Sequence, residues 1–463
     1  MKKCWYGVIF LVLGHAFQAE AQKRHEFSAQ EAMDFARKNN MQIKNALLGV
    51  QIQSEINREV TSNALPQITG NVGLLYNPNV MVQRFPNFIA AATYGVLTNE
   101  GVKDGSGNAI VMPSDFGYIE AAFGSKFTNS AGVELQQLLF EGQVFVGLQA
   151  RRTSMEFAEK NVEVTEENIK ANIYKVYYQL AASKNQIGIL DANIARLEKQ
   201  ASDIQKLYDN GFAERLDIDK VAVQLSNLQT EKQKVLNGIQ NGYLGLKLLM
   251  GMPIRDTLIL TDSIGYDDIR SGVLDAMAYR YEDRKEYQYA ELGKKLNEYN
   301  VRRYKLTYFP TVALASNYTY LRQSDKFGFG SGWNPSSQIG LRISVPIFDG
   351  FARSARIQKA RLELEQTNNR IENLKQDIDR EVQQAINNYT NALATLDNQK
   401  RNMDLAEKVY GQTKKKYEIG TGSSTEINNA DAELRIAQTN YINALYDAII
   451  AKIDFLKATG KLY

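Results

Sequence analysis

From Ile169 onward, apolar side chains recur at Ile173, Val176, Leu180, Ile187, Leu190, Ile194, Leu197, Ala201 and Ile204. These steps of three, four and seven make a heptad seam over about five repeats and predict one uninterrupted helix from Gln143 to Asn210. No proline occurs between Pro113 and Pro253, so nothing breaks the helix on steric grounds. At about 1.5 Å per residue the rod is on the order of 100 Å long. That length suits a coiled coil or a periplasm-spanning tube and has no use in a soluble globular domain.

Upstream, Ala32, Met33 and Phe35 predict a short helix from Ser28 to about Asn39-Asn40, and Ile43, Leu47, Val50 and Ile56 a second from Met41 to about Asn63. After Pro66 the period changes to two: Ile68, Gly70, Val72, Leu74 and Tyr76 alternate with Gln67, Thr69, Asn71, Gly73 and Leu75. A long exposed loop is expected to about Asn129. A partner strand then carries Ala131, Val133 and Leu135 up to Phe140-Glu141-Gly142. The rod's end at Asn210-Gly211 suits a left-handed helix terminus. A return helix runs from about Asp217 to Met250, stopped by Gly251 and Pro253. A short extended piece, Leu258-Ile259-Leu260, precedes tyrosine-rich helical sequence over Gly272–Tyr304.

The plan then repeats. Phe309-Pro310-Thr311-Val312 echoes Leu65-Pro66-Gln67-Ile68, and Val312, Leu314, Ser316, Tyr318 and Tyr320 form a third strand. Ile339, Leu341, Ile343, Val345 and Ile347 form a fourth. Phe348-Asp349-Gly350 matches Phe140-Glu141-Gly142, and a second rod with Ile371, Leu374, Ile378, Val382, Tyr389, Leu393, Leu396, Met403, Tyr410 and Tyr417 at seam spacing ends at Gly420. Gly142 to Gly211 is 69 positions and Gly350 to Gly420 is 70, while Gly211–Gly251 and Gly420–Gly460 are both 40. Three markers in register signal a duplication.

Composition narrows the classes. The net charge of +3 over 463 residues comes from basic and acidic residues interleaved along the helices, the pattern of solvated helix faces and not of a nucleic-acid-binding patch. The N-terminus has a secretory pattern: Lys2 and Lys3, an apolar core over Trp5–Gly14, and Ala19-Glu20-Ala21 before Gln22. Removing it takes away Lys2, Lys3 and Glu20, which leaves +2, and also the only cysteine, Cys4. The mature chain is then exported, free of disulfides and not lipidated at a cysteine. With His25 the one remaining histidine, thiol–imidazole dyads, serine triads and histidine metal sites have no residues to use. No pair of acids is arranged as in an evident pocket, so no enzyme, cofactor or metal is expected. Scattered methionines give no soft-metal relay.

Each half thus reads helix, strand, loop, strand, very long helix, tight turn, return helix. Strands of about ten alternating residues fit a tilted bilayer crossing. Four strands cannot close a pore, and an open edge cannot face lipid, so the strands must join those of neighbouring copies. About three copies would supply about twelve strands.

This duplicated order resembles the TolC-like outer-membrane efflux proteins across essentially all of the mature chain. The most specific residues are Tyr417-x-x-Gly420 followed by Thr425-Glu426-Ile427-x-x-Ala430, with Tyr208-x-x-Gly211 leading to Leu216-Asp217-Ile218 in the first half. The starts at Leu65-Pro66-Gln67 and Phe309-Pro310-Thr311, together with Val345-Pro346-Ile347-Phe348-Asp349-Gly350, strengthen the match. The resemblance implies a mainly α protein with a membrane β-barrel portion: four strands and long antiparallel coiled-coil helices per protomer in duplicated halves, built as a trimeric α/β-barrel channel-tunnel. It implies a Gram-negative outer membrane in contact with lipid, with the helical body in the periplasm. The implied partners are a periplasmic adaptor (membrane fusion) protein and an inner-membrane pump of RND, MFS or ABC type, in multidrug efflux or type I secretion.

The implied division is 1–21 signal peptide, 22–64 N-terminal periplasmic helices, 65–142 first strand pair with its long outer loop, 143–252 first helical hairpin, 253–308 equatorial helices and linker, 309–350 second strand pair, and 351–463 second hairpin. Tyr208, Gly211, Asp217, Tyr417 and Gly420 fall where the family has its periplasmic tip and adaptor contact. Glu426 falls at the first position of the tunnel constriction and Asn429 at the second, while Gly422 stands where a latch arginine is found. A carboxylate repeated about a symmetry axis makes a cation-favouring ring. The competing reading is a non-conducting tether or secretion scaffold across the periplasm. Cargo is not written in the sequence.

Overall fold

A computed structural model describes residues 23–262, 265–266, 269 and 278–462. The expected signal peptide and residues 272–277 of the expected tyrosine-rich helix lie outside the described residues. The described chain forms two units: Met1–Ser54, Arg152–Asn297 and Glu363–Tyr463 in the first, Glu55–Arg151 and Glu298–Leu362 in the second.

The first unit is helical. β1 (Arg24–Phe27) leads into α1 (Ala29–Asn39), which Ser28 caps by accepting the Glu31 N–H at 3.2 Å while Glu31 accepts the Ser28 N–H at 2.8 Å. α2 (Met41–Ser62) follows. The long rod is α4 (Gly142–Asp209), its return helix α5 (Arg215–Met250), the second rod α7 (Ala352–Glu418) and its return helix α8 (Ser424–Ala458). The heptad seam is the buried line: Ile169, Ile173, Leu180, Leu190, Leu197 and Ile204 are all enclosed. Near the turn of α4 and α5, Leu190, Leu197, Ile204, Val221 and Leu228 form one cluster. A larger one joins α7 and α8 through Ile378, Val382, Tyr389, Leu396 and Phe455.

β1 was not legible in advance. Its partner β6 (Thr257–Leu260) covers the expected extended piece, and the two pair in parallel, Phe27 opposite Leu260. Tyr177 sits fully buried beneath them, its hydroxyl donating to Phe27 O at 2.8 Å.

The second unit holds β2 (Gln67–Tyr76), β5 (Phe127–Phe140), β7 (Thr311–Ser324) and β8 (Asn334–Ser344) in one antiparallel sheet ordered β2-β5-β7-β8. Register puts Thr69, Glu134, Asn317 and Gln338 in one row. The next row, Ile68, Leu135, Ser316 and Ile339, lies on the other face. Gly132 is held to glycine by close approach: a Cβ there would lie 2.8 Å from Tyr318 O. Among the described residues neither β2 nor β8 has a neighbour on its outer edge. β8 stops at Ser344 rather than Ile347, since Pro346 has no N–H to give a ladder.

Two expectations are corrected here. Residues 78–129 are not an unstructured loop: β3 (Val82–Pro86) pairs with β4 (Tyr118–Ala122), and α3 (Phe88–Asn99) lies between them, capped by Asn87 accepting the Ala90 N–H at 3.0 Å. The helix went unseen because its residues are apolar on every side, which leaves no 3.6 period to read. β5 also begins at Phe127, earlier than expected, because Thr128–Ser130 alternate without apolar side chains to mark them. α6 (Lys285–Lys305) then delivers the chain to β7.

Candidate functional site

The hairpin ends are built from glycine. α4 ends with Gly211 at φ 78, its N–H donating to Tyr208 O at 2.9 Å and that of Phe212 to Leu207 O at 2.8 Å. α7 ends in the same way with Gly420 at φ 77, whose N–H reaches Tyr417 O at 3.1 Å. A left-handed residue here satisfies the last carbonyls of the helix. Gly422 is glycine for a different reason: a Cβ would stand 3.0 Å from Tyr417 N and 3.2 Å from Lys416 C. Its N–H donates to Lys416 O at 3.0 Å, so the position serves the turn and carries no latch side chain. Each return helix then starts on a side-chain cap: Asp217 accepts the Glu214 N–H at 3.4 Å, and Ser423 accepts that of Glu426 at 3.1 Å.

Of the expected tip residues, Tyr417 on the second hairpin lies within electrostatic reach of Asp217 on the first. Burial pushes the Tyr417 hydroxyl pKa up, helped by the negative charges of Asp217 and Asp203. Tyr208 is partly exposed and acts through its backbone. Sequence reasoning missed Phe212 and Ile419, apolar side chains that the turns hold out into solvent at 81 % and 74 % exposure. The signal was an apolar residue next to each turn glycine.

Glu426 and Asn429 lie on one exposed stripe of α8 with Glu433, Ile436 and Asn440, at helical steps of three and four. Together with Lys416 and Thr413 of α7 they line a groove of ≈ 710 Å³ along the second hairpin. Glu433, one heptad beyond Glu426, was also missed; the second acid of the stripe stands there and not at Asn429.

Polar contacts cross from α4 to α8, among them Lys175 to Asp454 at 2.5 Å. Gln200 donates to Asn428 at 2.7 Å, Asn193 to Gln438 at 3.3 Å, and Arg196 lies 2.9 Å from Asp431. Asp431, buried, also meets Arg435 at 3.1 Å. Arg196 stacks on Tyr410 of α7 at 4.7 Å. Burial raises the Asp431 pKa against the pull of both arginines. The ion pairs are close but poorly aligned, for neither carboxylate oxygen has a well-directed donor. Among the described residues no cluster of three or more His, Cys, Asp or Glu side chains is placed to hold a metal.

An open four-stranded sheet and duplicated long helical hairpins make up the described fold. Residues 282–461 match the family model for outer membrane efflux proteins. The outer membrane protein TolC of Vibrio cholerae is 18 % identical over 337 residues, 72 % of this chain and 77 % of that protein. A solved structure of CusC superposes with TM-score 0.74 at 16 % identity, covering 93 % of this chain and 92 % of that one. The outer membrane protein VceC of Vibrio cholerae gives TM-score 0.70 at 15 % identity over 93 % and 96 %. The C-terminal part of the chain thus carries the outer membrane efflux protein match, and the described chain shares the fold of these solved structures. Other relatives carry names for efflux and for secretion: the outer membrane efflux protein BepC of Brucella suis, 19 % identical over 72 % of this chain and 73 % of that protein, and the proteases secretion protein PrtF of Dickeya chrysanthemi, 17 % identical over 71 % and 72 %.

Proposed function

We propose that three copies close one twelve-stranded barrel by pairing β2 of each with β8 of the next, and that cargo leaves through the lumen when the hairpin tips dock a periplasmic adaptor fed by an RND, MFS or ABC-type pump. The carrying observation is the sheet itself: apolar on one face, polar on the other, with both outer edges unpaired among the described residues. Backbone groups at such edges are not tolerated in lipid, and closure with copies satisfies them. In this reading 65–142 and 309–350 supply the barrel, 143–252 and 351–463 the tunnel, 253–308 its equatorial belt and 22–64 its N-terminal helices.

The tip surface for the adaptor comprises Tyr208, Gly211, Asp217, Tyr417 and Gly420, with Phe212 and Ile419 as apolar anchors. Glu426 forms the constriction, Asn429 the uncharged turn above it, and Glu433 a second acidic level. Planar-bilayer recording tests the function: the purified protein should conduct, and a chain that inserts without conducting would be a tether instead.

A further inference from the structure

α3 is a helix with two apolar faces. One rests on its own loop, where Tyr94 meets Phe116 at 5.7 Å between ring centroids and Gly95 approaches Met112. The other carries Phe88, Ile89, Ala92 and Val96, all exposed, Phe88 at 62 % and Val96 at 61 %. No charged residue occurs in Phe88–Asn99. A solvated loop helix turns polar side chains outward, whereas an exposed apolar stripe marks a contact surface.

Lipid is the weaker occupant. Interfacial helices carry cations along their polar face. Here the flanking cations are Lys103 and Arg84, the latter stacked on Tyr118 at 4.8 Å. Topology favours a second copy. β2, from which this loop springs, has an open edge, and so does β8. In a closed ring these edges lie about 4.8 Å apart. The β7–β8 connection of one copy then arrives beside the β2–β5 loop of the next. That connection exposes its own apolar pair, Phe327 at 66 % and Phe329 at 61 %, with ring centroids 5.9 Å apart.

We infer that the Phe88–Ile89–Val96 stripe of each copy clasps Phe327 and Phe329 of the next, joining protomers outside the membrane as the sheet edges join them within it. The inference rests on the trimeric ring proposed above. The full-length double variant Ile89→Cys/Phe329→Cys, oxidised in native outer membranes, should give covalent dimers and trimers on denaturing gels, and each single variant should give none. Cross-linking by Ile89→Cys alone would mean that the α3 helices meet one another, which overturns the clasp. Absence of cross-links in a chain that native mass spectrometry shows to be trimeric also overturns it and leaves the ring intact; a monomer in that measurement overturns the ring itself. If the double variant does not assemble, a photo-cross-linking residue at Phe88 decides: adducts mapping to residues 325–333 support the clasp, and adducts to lipid or to α3 overturn it.

Discussion

Arg196 of α4 stands 2.9 Å from the carboxylate of Asp431 on α8, and Asp431 is 2 % exposed. This buried charged contact sits between two amide pairs of the seam, Gln200–Asn428 and Asn193–Gln438, while a more exposed ion pair, Lys175–Asp454 at 2.5 Å, joins the same two helices farther from the turns.

Removing the arginine leaves a buried carboxylate with one partner, Arg435. Arg196→Met is expected to destabilise by about 3 kcal/mol, and Arg196→Met/Asp431→Leu to recover most of that, since a buried pair costs more to break than to replace. Thermal denaturation of the detergent-solubilised protein measures both; equal losses in the single and double variants would contradict this account.

The same carboxylate sets a pH dependence. Its folded pKa is raised above 3.8 by burial, so the native state binds this proton before the unfolded chain does. The contribution of Asp431 therefore becomes more favourable as pH falls through the raised pKa, and it levels off below the unfolded value. Asp431→Asn should remove that slope from stability measured between pH 7 and pH 4.

At the proposed constriction, Glu426→Gln should reduce cation selectivity in single-channel recordings, and Glu426→Gln/Glu433→Gln should reduce it further. The two positions lie one heptad, about 10 Å, apart on one face of α8, close enough to act on the same ion path. Unchanged reversal potentials in both variants would remove the acid stripe from the conduction path.

The turn glycines differ in kind. Gly211→Ala and Gly420→Ala meet no atoms within 4 Å and should each cost about 1 kcal/mol through the left-handed backbone alone. Gly422→Ala must instead push against the Tyr417 and Lys416 backbone. Hydrogen exchange near Lys416 and Tyr417 should rise most in the Gly422 variant.

The two faces of the sheet can be told apart by charge. Leu341→Arg puts a cation on the apolar face of β8 and should cost about 2–4 kcal/mol near the bilayer midplane, while Gln338→Arg on the polar face should be tolerated. Yield of folded protein in the outer membrane compares them.

The duplicated plan was legible because each element imposes its own period on a long stretch: steps of three and four from Ile169 to Ile204 mark a helix seam, and strict alternation from Ile339 to Ile343 marks a strand with one apolar face. What escaped notice lacked such a period. Arg24–Phe27 is too short to show alternation and exists as a strand only because Thr257–Leu260 lies beside it. Phe88–Asn99 is apolar all round. At the tip, Gly211 and Gly420 announced the turns, but Asp431 is an acid that reads as solvent-facing until Arg196, 235 positions earlier, is folded against it. Glu433 was within reach of the helical repeat from Glu426.

In the proposed ring, the open edges of β2 and β8 leave each copy unfinished until it meets two others. A lone chain carries strand edges able to pair with any exposed strand, so for that ring insertion and assembly would be a single event. A copy whose edge is blocked, yet whose other edge still pairs, would spoil every ring it enters. In a cell making equal amounts of sound and blocked chains, only about one ring in eight would be whole, since a three-copy ring closes only if every junction does. One defective allele would then behave as dominant.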